Sequence, residues 1–237
     1  MPYRSPSQRA VTPQGRGRFP GFDVLSQVDA WDDVTAGAIL ARLDLPAGLA
    51  FFTPQEVGIA GPVLDLLLGQ DADPRVPVLA MIDERLATGE TDGWHYDDMP
   101  EDADAWRQSL GWLDDDARAA HNGRGFADLV PTEQAELLQR VQDLSEDGEK
   151  WHDSQAKHVW SLWTRYATTA FYSHPWAWNE MGYPGPAYPR GYLNPGVNSR
   201  EKWEVPDHAA IDPVPFADRV EAARKEHAQL VNRGESA

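Results

Sequence analysis

Five stretches of this sequence repeat apolar residues at the three- and four-residue spacing of an amphipathic helix, and none alternates as a strand does. This pattern predicts an all-α fold. We expect a single helical domain of about five to six helices, with extended termini and a long irregular loop rich in aromatic residues and proline. The five predicted helices are 54–68, 78–86, 101–120, 132–144 and 155–171, and a last polar helix is predicted at 216–231.

The first predicted helix has a clear start and a doubtful middle. Thr53 is placed to cap the helix, Pro54 suits its first position, and Glu56 completes a capping box. Pro62 interrupts the apolar pattern, so the helix is predicted to kink or restart there.

The composition divides the chain into four parts. Residues 1–50 are predicted to form an extended arm, with a short helix near 32–42, and residues 51–173 the helical core. Residues 174–214 are predicted to be an aromatic, Pro/Gly-rich loop that faces a partner, and residues 215–237 a final helix and tail.

The segment from Phe171 to Tyr192 is the most unusual part of the chain. Its 22 residues include four Tyr, two Trp, one Phe, four Pro and three Gly. Proline removes amide donors, so we predict no regular helix here. The segment is also too aromatic for a disordered linker. The rings are therefore predicted to pack against something.

Two interpretations of the aromatic segment remain open. The rings could cover the fifth helix of the same chain. Alternatively, several of them anchor a partner protein, because Trp and Tyr dominate the hot spots of interfaces. The predicted partner interface comprises Trp176, Trp178, Asn179, Tyr183, Pro184, Gly185, Tyr188 and Tyr192.

Charge and composition exclude several classes of function. The formal net charge is −17, and residues 65–119 hold fifteen Asp or Glu against four Arg. This balance argues against nucleic acid or an anionic membrane as a partner. It indicates either a solvated acidic face or a basic partner. The absence of Cys excludes disulfides, thiolate metal sites and thiol catalysis.

The sequence also carries an expectation about localisation. No apolar run is long enough to span a bilayer. The first thirty residues show neither the apolar core of a signal peptide nor a twin-arginine pair, which predicts a cytoplasmic protein.

Candidate chemistry is sparse. His95 with Asp97 and Asp98 could bind a divalent ion, although a solvated acidic loop explains the same residues. His121 is predicted to lie at a helix end, where the dipole favours a cation. His152 and His158 are six residues apart, which places them on opposite sides of a helix and argues against a metal pair.

Other catalytic patterns are equally weak. The carboxylates of Asp114, Asp115 and Asp116 point in different directions on a helix and are interpreted as solvated. No phosphate-binding glycine loop and no nucleophile motif are found. We therefore predict no catalytic, cofactor-binding or metal-binding residues in this chain.

Four stretches resemble the gluconate 2-dehydrogenase subunit 3 family. They are Thr53 to Glu56, the VLAMIDERL segment at 78–86, residues 106–138, and Phe171-Tyr172 followed by Asn179 to Pro186. The resemblance extends roughly from Thr53 to Tyr192, and the last stretch is the most specific.

The resemblance implies an accessory subunit with no cofactor of its own. Its partner would be a large flavoprotein of the glucose-methanol-choline family, which binds FAD and oxidises a sugar or sugar acid. The two would form a hetero-oligomer in which the small subunit supports folding, stability and often export. Many members begin with a twin-arginine signal, and none is seen here, so a cytoplasmic complex is expected.

Two alternative functions remain. One is a stand-alone metal-dependent enzyme that uses His95, Asp97 and Asp98. The other is a transient chaperone that releases the flavoprotein once it has folded.

Overall fold

The computed structural model describes residues 19, 22–44, 48–70, 73, 75–194, 196 and 199–205. These residues are mainly helical, which confirms the predicted all-α class and single helical domain. The helices are α1 (Asp33–Leu40), α2 (Pro54–Leu68), α3 (Val78–Ala87), α4 (Asp102–Ala120), α5 (Pro131–Glu146), α6 (Ala156–Ser173) and α7 (Pro175–Met181). Short 3₁₀ segments occur at Val24–Ala30, Ala41–Leu43 and Phe126–Asp128.

The five helices predicted for the core are α2 to α6, and α6 is the central one. It packs against α2, α3, α4, α5 and α7. Its buried face includes Trp163 and Tyr166, and the Tyr166 ring meets Trp106 of α4 edge-on at 5.8 Å between ring centroids. The core is thus built around large rings carried by α4 and α6.

A two-stranded hairpin precedes α6 and was not predicted. Strands β1 (Lys150–Trp151) and β2 (Ser154–Gln155) pair antiparallel. His152 lies in the turn between them with a φ of 52°. It is therefore not on a helix, and the predicted helical relation between His152 and His158 is wrong.

Helix α2 begins and ends as predicted, but Pro62 does not interrupt it. The Thr53 hydroxyl accepts from the Glu56 amide at 3.3 Å, and the Glu56 carboxylate accepts from the Thr53 amide at 2.7 Å. Pro62 lies inside an uninterrupted helix, so the predicted restart is wrong. The burial of four core residues near Pro62 stabilises the helix by more than the missing amide donor costs. These residues are Ile59 and Ala60 before it and Val63 and Leu64 after it.

The turn before α2 is held by a buried carboxylate of α3. Asp83 is 2% exposed and accepts from the amides of Ala50 at 2.6 Å, Phe51 at 3.0 Å and Phe52 at 2.8 Å. A buried carboxylate with three backbone donors fixes the chain that leads into α2.

Residues 171–181 differ from the prediction of an irregular stretch. Helix α6 extends to Ser173, and Pro175–Met181 forms α7. Pro175 occupies the first helical position, where no amide donor is needed, and His174 Nδ1 accepts from the Trp176 amide at 3.2 Å. Gly182 ends α7 with a φ of 69°. Proline and glycine here mark the ends of a helix rather than preclude one.

The two predicted chain ends have different outcomes. The short helix expected near 32–42 is confirmed as α1. The predicted helix at 216–231 lies outside the described residues.

Candidate protein-binding surface

Helix α7 is covered by residues 22–44, which we call the amino-terminal segment. A second apolar cluster, distinct from the main core, joins the two. Its buried members are Val24, Leu25, Trp31, Ile39 and Trp178. Residues 22–44, the described part of the region predicted to be an extended arm, therefore pack onto the aromatic part of the same chain.

Polar contacts fix how the amino-terminal segment meets α7. The Asn179 side chain accepts from the Val24 amide at 2.7 Å and donates to the Asp23 carboxylate at 3.3 Å. The Trp31 indole donates to the Pro186 carbonyl at 3.0 Å. Asn179, which was predicted to lie at a partner interface, therefore forms its hydrogen bonds within this chain.

The loop after α7 lies against the Trp31 ring. Pro184 and Gly185 are buried, and Gly185 has a φ of 79°. A Cβ atom added at Gly185 would overlap the Trp31 ring and lie 3.2 Å from a Val24 methyl. Glycine is needed here for both its conformation and its lack of a side chain.

The predicted interface residues separate into covered and outward-facing groups. Trp178 is 5% exposed and Trp176 is half-buried against the main core. The Trp178 ring packs on the amino-terminal segment, which the intrachain interpretation had not considered. Tyr183, Tyr188 and Tyr192 face outward.

Three further apolar side chains face outward beside these tyrosines. Tyr172 and Met181 are about as exposed as Tyr183, and Leu193 is 80% exposed. These three residues were not predicted as part of the interface, because the prediction concentrated on the rings of the Pro/Gly-rich stretch. A Tyr at the end of an amphipathic helix, opposite its buried face, was the available signal for Tyr172.

Contacts connect several of these exposed rings to neighbouring aromatic side chains. Trp178 donates to the Tyr172 carbonyl at 2.7 Å, and its ring lies 5.2 Å from Tyr183. Burial, and secondarily the nearby Tyr192, raises the pKa of Tyr183. Tyr192 in turn contacts Trp203 at 5.3 Å between ring centroids. Tyr183 and Tyr192 are therefore close enough to interact, and Tyr172 and Tyr183 both border Trp178.

Two arginines border this surface. Arg42 of the amino-terminal segment donates to the Ser173 carbonyl at 2.8 Å and lies over the Trp178 ring at 5.5 Å. Arg190 donates to Gln27 at 2.8 Å and lies over the Trp203 ring at 4.1 Å. Both arginines tie the aromatic segment to its surroundings.

The predicted metal ligands do not converge. Asp98 accepts from the Gln155 amide at 2.9 Å and is paired with His158 at 2.6 Å, so it fixes the start of α6. His95 instead lies 3.5 Å from Glu101. In the part of the chain that the structure describes, no three His, Asp or Glu side chains form a group that could hold a metal ion.

His121 and two of the three consecutive aspartates have structural roles. His121 follows the last residue of α4, as predicted, and lies 3.6 Å from Glu133. Asp114 accepts from the Phe126 amide at 2.7 Å and pairs with Arg118. Asp116 accepts from the Trp151 indole at 2.8 Å. The interpretation of all three aspartates as solvated is therefore wrong for Asp114, which is buried and bonded.

A cleft of about 490 Å³ lies beside the aromatic surface, between the amino-terminal segment and helices α3 and α6. Its floor includes Met81, Ile82 and Tyr166, and Arg42 and Ser173 line the side nearest the aromatic surface. Burial, and then the hydrogen bond donated to Asp102, raises the pKa of Tyr166. The Tyr166 hydroxyl therefore stays protonated at neutral pH.

The structure is that of an all-α protein with an exposed aromatic surface at one end of its core helices. None of its described helices is both long and apolar enough to cross a bilayer. Residues 55–185 match the family described as gluconate 2-dehydrogenase subunit 3. The match covers more than half of the chain, which therefore belongs to this family, one subunit of a dehydrogenase complex. No curated protein and no solved structure matches the chain.

Proposed function

We propose that this chain is a non-catalytic small subunit. It binds and stabilises an FAD-dependent large subunit of the glucose-methanol-choline family, which oxidises a sugar or sugar acid. In this proposal FAD belongs to the large subunit, and the complex is a hetero-oligomer. Membership of a family of dehydrogenase subunits supports the proposal.

The observation that carries the proposal is the concentration of exposed apolar side chains. Ten large apolar side chains are exposed among the described residues, and six of them lie between Tyr172 and Leu193. Exposed apolar residues scattered singly are ordinary, whereas a concentration marks a site of interaction. Trp and Tyr are the residue types that interfaces favour.

The use of the charged residues supports a non-catalytic role. Asp83, Asp98 and Asp114 accept hydrogen bonds from backbone amides and so hold turns and helix starts. Asp102 accepts from Tyr166 in the core at 2.6 Å. General acid–base catalysis needs such groups to face a shared cleft with a substrate instead.

Co-expression tests the proposal. The full chain, carrying an affinity tag, is produced together with a glucose-methanol-choline flavoprotein from the same genome. We expect the two to purify as a yellow complex that keeps its flavin through size-exclusion chromatography. Active flavoprotein that elutes without the small subunit would favour a transient chaperone. A small subunit that stays alone, with flavoprotein yield unchanged, contradicts the proposal.

A further inference from the structure

We infer that the large subunit docks on a composite surface, with an apolar aromatic centre and an acidic border. The centre is formed by the outward side chains of residues 172–193, and the border by carboxylates beside the adjoining cleft. The matching face of the large subunit is then apolar in the middle and carries Lys or Arg at its edge. This inference rests on the proposed function.

The centre of the surface is defined by exposure and by contact. Tyr188 and Tyr192 are 65% and 62% exposed, and Leu193 is 80% exposed. Tyr192 is braced by Trp203, and Tyr183 by the buried Trp178. Aromatic side chains held rigidly and facing solvent lose little conformational entropy on binding, which suits them to anchor a partner.

The amino-terminal segment supplies the support for this centre. It covers the inner side of Trp178, binds Asn179 and contacts Gly185, so these three predicted interface residues act from beneath the surface. It lies outside the family match, which begins at residue 55. The shape of the docking surface in this chain therefore depends on residues that the family match does not include.

Arg42 connects the aromatic centre to the acidic border. Its guanidinium lies over the Trp178 ring and also lines the cleft. Ser173, whose carbonyl accepts from Arg42, lines the same cleft next to the exposed Tyr172. The cleft is thus continuous with the aromatic surface.

The border carries unpaired negative charge. Asp44, Glu84 and Glu90 line the cleft, and none of their side chains has an ion pair or hydrogen bond among the described residues, although Glu90 interacts electrostatically with Arg85. Asp92, by contrast, is paired with Arg85 and Arg165. Four carboxylates, Asp92 included, against Arg42 and Arg85 leave the lining of the cleft with a net negative charge, in a chain whose formal net charge is −17.

This charge pattern selects the chemistry of the partner. Carboxylates at the edge of an interface favour Lys and Arg opposite them and repel acidic surfaces. Charges at such an edge mainly accelerate association and make it sensitive to salt. The apolar centre then determines how slowly the complex dissociates.

The binding experiment measures the affinity of the full chain for the purified flavoprotein at low and high salt. In the centre variant Tyr192→Ala/Leu193→Ala, Kd is expected to rise at least about tenfold at both salt concentrations. In the border variant Glu84→Gln/Glu90→Gln, the association rate constant is expected to fall at low salt, and its salt dependence to flatten. All four side chains are exposed, so the thermal midpoint should not change.

Matched controls use exposed side chains on other elements. Val130→Ala removes an apolar side chain that is 54% exposed before α5, and Glu136→Gln neutralises an exposed carboxylate on α5. Neither is expected to change Kd. If the wild type binds the flavoprotein and the centre variant binds it with the same affinity, the inferred apolar centre is wrong. If the association rate constant of the border variant depends on salt as that of the wild type does, the inferred Lys or Arg at the edge of the partner is wrong. Failure of the wild type to bind the flavoprotein instead refutes the proposed function itself.

Discussion

His174 joins α6 to α7 and is 2% exposed. Its Nδ1 atom accepts from the Trp176 amide, so the ring must be neutral to cap α7. Burial, and secondarily the Arg42 guanidinium, lowers the pKa of His174 from 6.5 to about 4. Protonation of His174 in acid therefore removes the acceptor that caps α7 at its junction with α6.

The His174 pKa predicts a specific loss of stability in acid. Below pH 6.5 the unfolded chain takes up a proton that the folded chain resists. The contribution is fully present above pH 6.5 and decreases as the pH falls towards 4, to a total of about 3 kcal/mol. Urea unfolding between pH 7 and pH 4 measures it, with His174→Asn as the comparison, since Asn also caps helices. Identical pH slopes for the two proteins would refute this assignment.

Trp178 gives a second prediction at the residue scale. Because its ring lies in the second apolar cluster, Trp178→Ala should destabilise the isolated subunit by about 3–5 kcal/mol. If Trp178 instead anchored a partner, as its place in the predicted interface implied, the loss would be found mainly in the complex. The free energy of unfolding of the isolated subunit distinguishes the two. Tyr188→Ala is the control, because this ring is 65% exposed and its removal should cost less than about 0.5 kcal/mol.

At the scale of elements, the sequence predicted the helices that carry strong apolar periodicity. Helices α2 to α6 lie where the apolar spacing predicted them, because this periodicity reflects the burial of one face of each helix. Helix α7 was missed because its proline was taken to preclude a helix, whereas Pro175 occupies the first helical position, where no amide donor is needed. The contact between α7 and the amino-terminal segment is long-range, and no local pattern in either segment encodes it.

The pairing of these two elements predicts the effects of two glycine substitutions. Gly185 and Gly191 both have positive φ values, 79° and 67°, but only Gly185 faces the Trp31 ring. Gly191→Ala should therefore cost only the backbone strain, about 1–2 kcal/mol. Gly185→Ala should cost at least about 1 kcal/mol more, because the ring must move.

Hydrogen exchange locates this effect. In Gly185→Ala, the amide of Val24, which is bonded to Asn179, should lose protection, whereas in Gly191→Ala it should not. Equal unfolding free energies and equal protection in the two variants would show that the amino-terminal segment does not pack on the loop as described.

At the scale of the whole molecule, the sequence located the exposed apolar surface but did not sort its residues correctly. It identified the region that holds the exposed apolar surface, since aromatic residues among Pro and Gly need a packing partner. It did not separate Trp178 and Gly185, which are covered, from Tyr188 and Tyr192, which are exposed. That separation depends on which side of α7 the amino-terminal segment covers, and this is a property of the assembled fold.

The acidic character of the whole molecule gives a prediction about the complex. With a formal net charge of −17, association with a basic-edged partner should slow as ionic strength rises. Stopped-flow or surface-based measurement of the association rate constant across a salt series checks this. A rate constant that does not change with salt, or that increases, would contradict an electrostatic contribution to docking.

The proposed function makes this chain a stable subunit of a flavoprotein complex, bound through its exposed aromatic surface. The most direct measurement is size-exclusion chromatography of the co-expressed pair, with flavin absorbance and protein composition followed across the same peak. We expect one peak that contains both chains and the flavin, and we expect this peak to be lost in Tyr192→Ala/Leu193→Ala. A flavoprotein peak that never contains the small subunit, with the small subunit eluting alone, would contradict it.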